Sequence, residues 1–198
     1  MDRSFVDITI EFLSVSFHSI LYYTSLYPKG IFESRKKYGI VVKRSMHPEI
    51  NQYIDSNLRN IAWCMVSGEL SCVEFAITDN EHRIKIKFVF QFDRNAYFDD
   101  TTDAYFIKLE QNLRAFCLKL SSVSNHLELV ANISTFNIFI HTNESTALGV
   151  ITNPEFEGFP LVEVEERQEE TEKIIPIGRF SIRSHFIDTH LEFNMTPT

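Results

Sequence analysis

The hydrophobic patterning predicts an α+β fold in which helices and antiparallel strands alternate along the chain. Ile50, Ile54, Leu58, Ile61 and Met65 step by three or four residues, as one buried face of a helix does. Ile84, Ile86, Phe88, Phe90 and Phe92 then give five successive matches to the two-residue period of a strand. A second helical stripe follows at Phe106, Leu109, Leu113, Phe116 and Leu120, and a further alternating run at Phe136, Ile138 and Ile140.

Residues 5–23 satisfy both periods: Val6, Ile8, Ile10 and Phe12 alternate, while Val6, Ile10, Leu13, Phe17 and Ile20 share a helical stripe. The segment is about three times the length of an ordinary strand, so length decides for a helix buried nearly all round. Tyr27-Pro28-Lys29-Gly30 reads as a turn. His47-Pro48-Glu49 opens the next helix, with proline at the first helical position and an acid in the first turn, and Gly68 stops it. Val73, Phe75 and Ile77 alternate as a strand, Thr78-Asp79-Asn80 turns the chain, and the strand of residues 84–92 returns with Lys85, Lys87 and Gln91 on its wetter face. From about residue 150 the chain changes character to Pro, Glu and short apolar runs: 159–164, 174–177, and Phe180, Ile182 and Phe186. This reads as a wrapping arm with short strands. There are no internal repeats.

At 198 residues and 44% hydrophobic, with 18 Phe, the chain has ample material for a core without metals or disulfides. Its three cysteines, Cys64, Cys72 and Cys117, lack metal-ligand spacing and sit among apolar neighbours, which predicts inert thiols in a reducing compartment. The N-terminus mixes Asp2, Arg3, Asp7 and Glu11 into its apolar run, unlike a signal peptide or a membrane span. Asn132, Asn143 and Asn194 begin N-x-[ST] triplets that read as chance matches without secretion. Of the net charge of −8, residues 155–172 supply −7, from eight Glu against Arg167. A near-neutral body with one acidic segment is a poor partner for phosphates, so direct nucleic-acid binding is not expected; the basic cluster Arg35, Lys36, Lys37, Lys43 and Arg44 is the single region that could serve it.

Catalytic signatures are missing. No two of the six glycines lie closer than nine positions, which excludes a phosphate-cradling loop. There is no G-x-S-x-G or H-E-x-x-H sequence, and the acidic run lacks the spacing and turn glycine of a calcium loop. His185, Asp188 and His190 come nearest to a metal site but read as a solvated strand edge. Neither enzyme activity nor a cofactor is expected.

Several blocks, taken together, resemble one family. They are Tyr27-Pro28-Lys29-Gly30-Ile31-Phe32, Arg35-Lys36-Lys37-Tyr38, His47-Pro48-Glu49-Ile50-Asn51-Gln52-Tyr53-Ile54, Glu81-His82-Arg83 and Lys87-Phe88-Val89-Phe90. Leu113-Arg114-Ala115-Phe116 with Lys119, Ile140-His141-Thr142 and Phe159-Pro160 follow in the same order. From about Asp7 to Phe193 the chain resembles the HORMA-domain accessory subunit of DNA polymerase zeta.

This resemblance implies a single HORMA domain over residues 1–198, with three main helices packed on an antiparallel sheet, a core of about 1–149 and a C-terminal safety belt of about 150–198. It implies a non-catalytic adaptor for translesion synthesis, located in the nucleus with the cytoplasm as a second location. A proline-bearing peptide of the polymerase catalytic subunit would lie under the belt, contacted by Tyr53, Phe159, Pro160 and Leu161. Leu161 stands where the family has Trp, which makes that pocket wall smaller. A second face, with Ile174, Asp188 and His190, would meet the C-terminal domain of the deoxycytidyl transferase that organises translesion synthesis; Asp188 and His190 replace an amide and a tyrosine there. Arg114 matches the arginine used in pairing between HORMA domains, as a homo- or heterodimer. The runner-up is a HORMA regulator of a cell-cycle checkpoint or of double-strand-break repair choice.

Overall fold

The computed structural model describes residues 3–94, 102–123, 127, 133–153, 162–164, 171, 173–183 and 185–194. The Phe159-Pro160-Leu161 segment, expected at the partner peptide, lies outside the described residues.

Helix α1 runs from Arg3 to Tyr23 and is buried on most of its circumference, Phe5, Phe12, Leu13, Phe17, Ile20 and Leu21 being almost fully enclosed. It has the length and apolarity of a membrane span, yet those apolar side chains fill the protein's own core. Phe12 meets Phe90, Phe116 and Phe180 edge to face, with ring centroids 6.0, 4.8 and 5.1 Å away, so one residue of α1 ties together three other elements. Helix α2 (Pro48–Ser67) ends as expected at Gly68, whose φ of +81° lets its N–H turn back to the carbonyls of Cys64 and Met65. Helix α3 (Asp103–Ser122) starts on Thr102, whose hydroxyl accepts from the Tyr105 N–H. Its expected stripe is buried except for Phe106, which is 40% exposed; Tyr105 is enclosed instead, where its hydroxyl accepts from the Arg183 N–H at 2.6 Å.

Five strands form one antiparallel sheet in the order β5-β3-β4-β7-β6. They are β3 (Cys72–Asp79), β4 (Ile84–Arg94), β5 (Ile133–His141), β6 (Lys173–Ile182) and β7 (His185–Phe193). Val73, Phe75 and Ile77 pair with Phe90, Phe88 and Ile86, so the apolar sets of β3 and β4 share the face that the helices cover. Strand β3 continues through Asp79, two residues into the turn read from the sequence at Thr78-Asp79-Asn80. Burial works against the Asp79 charge, but the Arg83 N–H, the Arg83 guanidinium and the Glu81 N–H outweigh it and hold the carboxyl well below the usual carboxylate range.

Two elements have no counterpart in the sequence reading. A separate hairpin, β1 (Phe32–Lys37) with β2 (Ile40–Ser45), turns through Tyr38 and Gly39, both at positive φ (50° and 72°), as a tight two-residue hairpin turn requires. Helix α4 (Glu144–Ile151) follows β5, capped by Asn143, whose side chain accepts from the Thr146 N–H at 2.8 Å.

The C-terminal segment is a correction. Strands β6 and β7 have 10 and 9 residues and are integral to the sheet, rather than short strands on an arm. Ile177, Phe180, Ile182, Ile187, Leu191 and Phe193 belong to the main core, because β7 pairs with β4 along nine residues.

Candidate partner-binding site

Strand β5 lies at one end of the sheet: its inner side pairs with β3 from Ile133 to His141, and no described strand pairs with its outer side. Tyr53, half-buried on α2, sits over this strand. Its ring lies 5.4 Å from that of Phe136 at 79°, and Phe136 in turn stacks on Phe75 at 5.0 Å. Burial raises the Tyr53 phenol above its ordinary range, partly opposed by hydrogen bonding to the Ile138 backbone and the Asn57 side chain. The structure therefore brings the expected tyrosine directly against the end strand.

Ile174, Asp188 and His190 lie together on the face of the β6-β7 pair that points away from the helices. Ile174 pairs with Glu192, Arg179 with Asp188 and Pro176 with His190, and side chains at paired positions share a face. Ile174 is 58% exposed, and His190 Nε2 lies 3.1 Å from Glu192 Oε1. The reading of His185, Asp188 and His190 as a solvated edge is overturned, because β7 runs between β4 and β6. His185 points to the opposite face, is 7% exposed and stacks on Phe5 at 4.0 Å; burial and then Arg94 lower its pKa. Alternation along a strand separates it from the other two.

Arg114 is tied into the protein. Its Nε donates to the Tyr38 carbonyl at 2.6 Å, and Nη2 pairs with Glu110 at 3.1 Å. A Cβ on Gly39 would come within 2.7 Å of Nη2, so the absence of a side chain at Gly39 admits the guanidinium to the hairpin turn. The basic cluster lies on the same hairpin. It lines a groove of about 1360 Å³ against α1 and α2 whose floor includes Val6, Ile10, Val42 and Leu58, while Lys37 pairs with Glu11 and Arg35 with Glu33. Cys64 and Cys117 are buried as expected, and burial pushes the Cys117 thiol up to about 12. Cys72 departs from the sequence reading: it is half-buried on the polar face of the sheet, where burial and then Glu74 push its thiol up to about 12.

Solved structures share this architecture. One chain of the crystal structure of the mitotic checkpoint complex superposes with a TM-score of 0.81 over 96% of this chain and 98% of that one, at 17% identity. C. elegans HTP-2 bound to HTP-3 closure motif 1 gives 0.73 over 95% and 85%, at 11% identity. The fold defines a HORMA-domain protein.

No protein-family model matches the chain. Individual relatives do: human mitotic spindle assembly checkpoint protein MAD2B is 35% identical over 161 residues, 81% of this chain and 76% of that one. DNA polymerase zeta subunit 2 of Drosophila melanogaster is 23% identical over 180 residues, 87% and 89% of the two chains. The chain belongs to the MAD2B and polymerase zeta accessory-subunit family of HORMA-domain proteins.

Proposed function

We propose that this protein is a non-catalytic adaptor of translesion DNA polymerase zeta, acting in the nucleus, that captures a proline-bearing peptide of the catalytic subunit on the outer edge of β5. The observation that carries this reading is the position of the C-terminal hairpin. By pairing with β4 it occupies the far edge of the sheet, and among the described residues no strand pairs with the outer side of β5 beside Tyr53. An available strand edge offers a row of N–H and C=O groups to an extended peptide. The relatives' names supply the polymerase.

A belt is needed on energetic grounds. Fixing a ten-residue peptide costs on the order of 10–20 kcal/mol of backbone entropy, while each hydrogen bond returns only about 1. The chain from α4 to β6 has to pass from one edge of a five-strand sheet to the other, a width of about 19 Å at ~4.8 Å per strand. The intervening residues 152–172, the part of the belt that joins α4 to the β6-β7 hairpin, could span roughly 70 Å if extended, which leaves slack to pass over a bound peptide. Phe159, Pro160 and Leu161 are its contact residues in this proposal. The outer face with Ile174, Asp188 and His190 is the site for the C-terminal domain of the deoxycytidyl transferase, and Arg114 with the hairpin it anchors is the site for pairing with a second HORMA domain.

The test is capture of the catalytic subunit's proline-bearing peptide by the full chain. Slow release is expected, because dissociation must await opening of the belt. Release as fast as from an open surface, or undiminished capture by a folded Tyr53→Ala variant, overturns this placement of the groove. The checkpoint name carried by the human relative favours a second reading, a regulator of cell-cycle machinery or of repair choice using the same edge. Under it, the catalytic-subunit peptide would not be retained while a checkpoint partner's peptide would.

A further inference from the structure

The face of the sheet opposite the helices carries a set of groups that peptide capture does not use. Cys72 of β3 and His141 of β5 are direct cross-strand partners, and Glu74, two residues along β3, projects from the same face. One donor atom from each lies within 4.8 Å of both others. His141 Nε2 and Glu74 Oε1 are 3.5 Å apart. Donors around a tetrahedral zinc ion, at bond lengths of about 2.0–2.3 Å, are separated by roughly 3.3–3.8 Å, so the histidine and the carboxylate are already spaced as two corners of that polyhedron. The sulfur needs a shift of at most about 1 Å to complete a third.

The backbone under these side chains is held firmly. The His141 carbonyl accepts from both the N–H and the hydroxyl of Ser71, each at 3.0 Å, which locks the β3-β5 corner where the three side chains emerge. Lys87 is the local competitor, with its ammonium 3.7 Å from Glu74 but 3.1 Å from Glu192. The nearer partner can keep it, which frees Glu74 for a cation. One thiolate and one carboxylate neutralise a divalent ion, and the sulfur, imidazole and oxygen set suits zinc better than the hard ions magnesium and calcium.

We infer that Cys72, Glu74 and His141 form a binding site for a thiophilic divalent cation of the zinc class, clipping β3 to the strand that ends the sheet. The Cys72 thiol loses its proton to solvent as the metal-sulfur bond forms, and water completes the fourth position. The site would act as a staple on β5, since its ligands join that strand to β3.

The experiment titrates the metal-free full chain with cobalt(II), a spectroscopic stand-in for zinc, and then displaces it with zinc. One equivalent of cobalt should produce a thiolate-to-cobalt charge-transfer band that zinc abolishes. Cys72→Ser should remove the band and His141→Ala should weaken binding at least tenfold, with circular dichroism unchanged in both. Lys87→Met, which keeps every ligand and removes the competing ammonium, should bind several-fold more tightly. No charge-transfer band in the wild-type chain, a band that survives Cys72→Ser and so belongs to Cys64 or Cys117, or Lys87→Met binding no tighter than wild type would each overturn the assignment.

Discussion

The rings of Tyr53 and Phe136 meet edge to face at 5.4 Å, and through this contact helix α2 braces the end strand of the sheet from its helical side. The tyrosine expected to contact the partner peptide is thus also a packing residue of the strand on which that peptide is proposed to pair. Ring and hydroxyl can be separated experimentally. Tyr53→Phe keeps the aromatic contact and should stay within about 1 kcal/mol of wild type. Tyr53→Ala loses the contact and partial burial, and should cost about 2 kcal/mol by denaturant unfolding while capture of the peptide falls.

Gly39 and Arg114 form a second coupled pair. Gly39→Ala places a Cβ at φ +72° and within 2.7 Å of the guanidinium, and should destabilise by about 1–2 kcal/mol. Part of that cost is the displaced arginine. In a double-mutant cycle with Arg114→Ala the two losses should therefore add to less than their sum; strict additivity would show that backbone strain alone is responsible.

The C-terminal hairpin is predicted to be indispensable for folding. Leu191 of β7 is 0% exposed, and Leu191→Ala should cost about 2–5 kcal/mol. A chain ending before Lys173 would lose two strands and bare the whole edge of β4, so it should elute as aggregate or show lost ellipticity. A folded monomer from that truncation would refute the packing described for β7.

Acid sensitivity should begin near neutrality. His18 is buried with its Nδ1 accepting from the Ser45 N–H, and burial together with the neighbouring Arg44 lowers its pKa to about 4. Unfolded, the imidazole has its ordinary value of about 6.5. Between these values the unfolded chain binds more protons than the folded one, so stability is complete above pH ~6.5 and falls as pH drops toward 4, by up to about 3 kcal/mol. Denaturant titrations at pH 7 and pH 5 should show this loss, and His18→Gln should flatten it. An equal loss in the variant would assign the slope to other groups.

Much of the fold was legible because its determinants are local. The five-residue alternation of β4 and the stripe of α2 with its Gly68 stop each report a period that neighbouring residues impose on one another. The β1-β2 hairpin escaped because Arg35, Lys36 and Lys37 interrupt any apolar alternation, leaving the Tyr38-Gly39 turn as its one local signal. Helix α4 escaped because its buried residues are only Thr146 and Val150; Asn143, which begins an N-x-[ST] triplet, is in fact its cap. Tyr53 and Arg114 could be singled out by resemblance, but their neighbours Phe136 and Tyr38 could not.

By itself, the sequence determined helices α1 to α3, strands β3 to β5 and the family to which the chain belongs, because these reside in short runs of adjacent residues. Tertiary structure alone decided that β7 is an interior strand, that His185 turns into the core while Asp188 and His190 turn out, and that Cys72 meets His141. Those outcomes depend on register between strands dozens of residues apart, where a shift by one residue sends every side chain to the opposite face, and the burial of the whole core selects among such pairings.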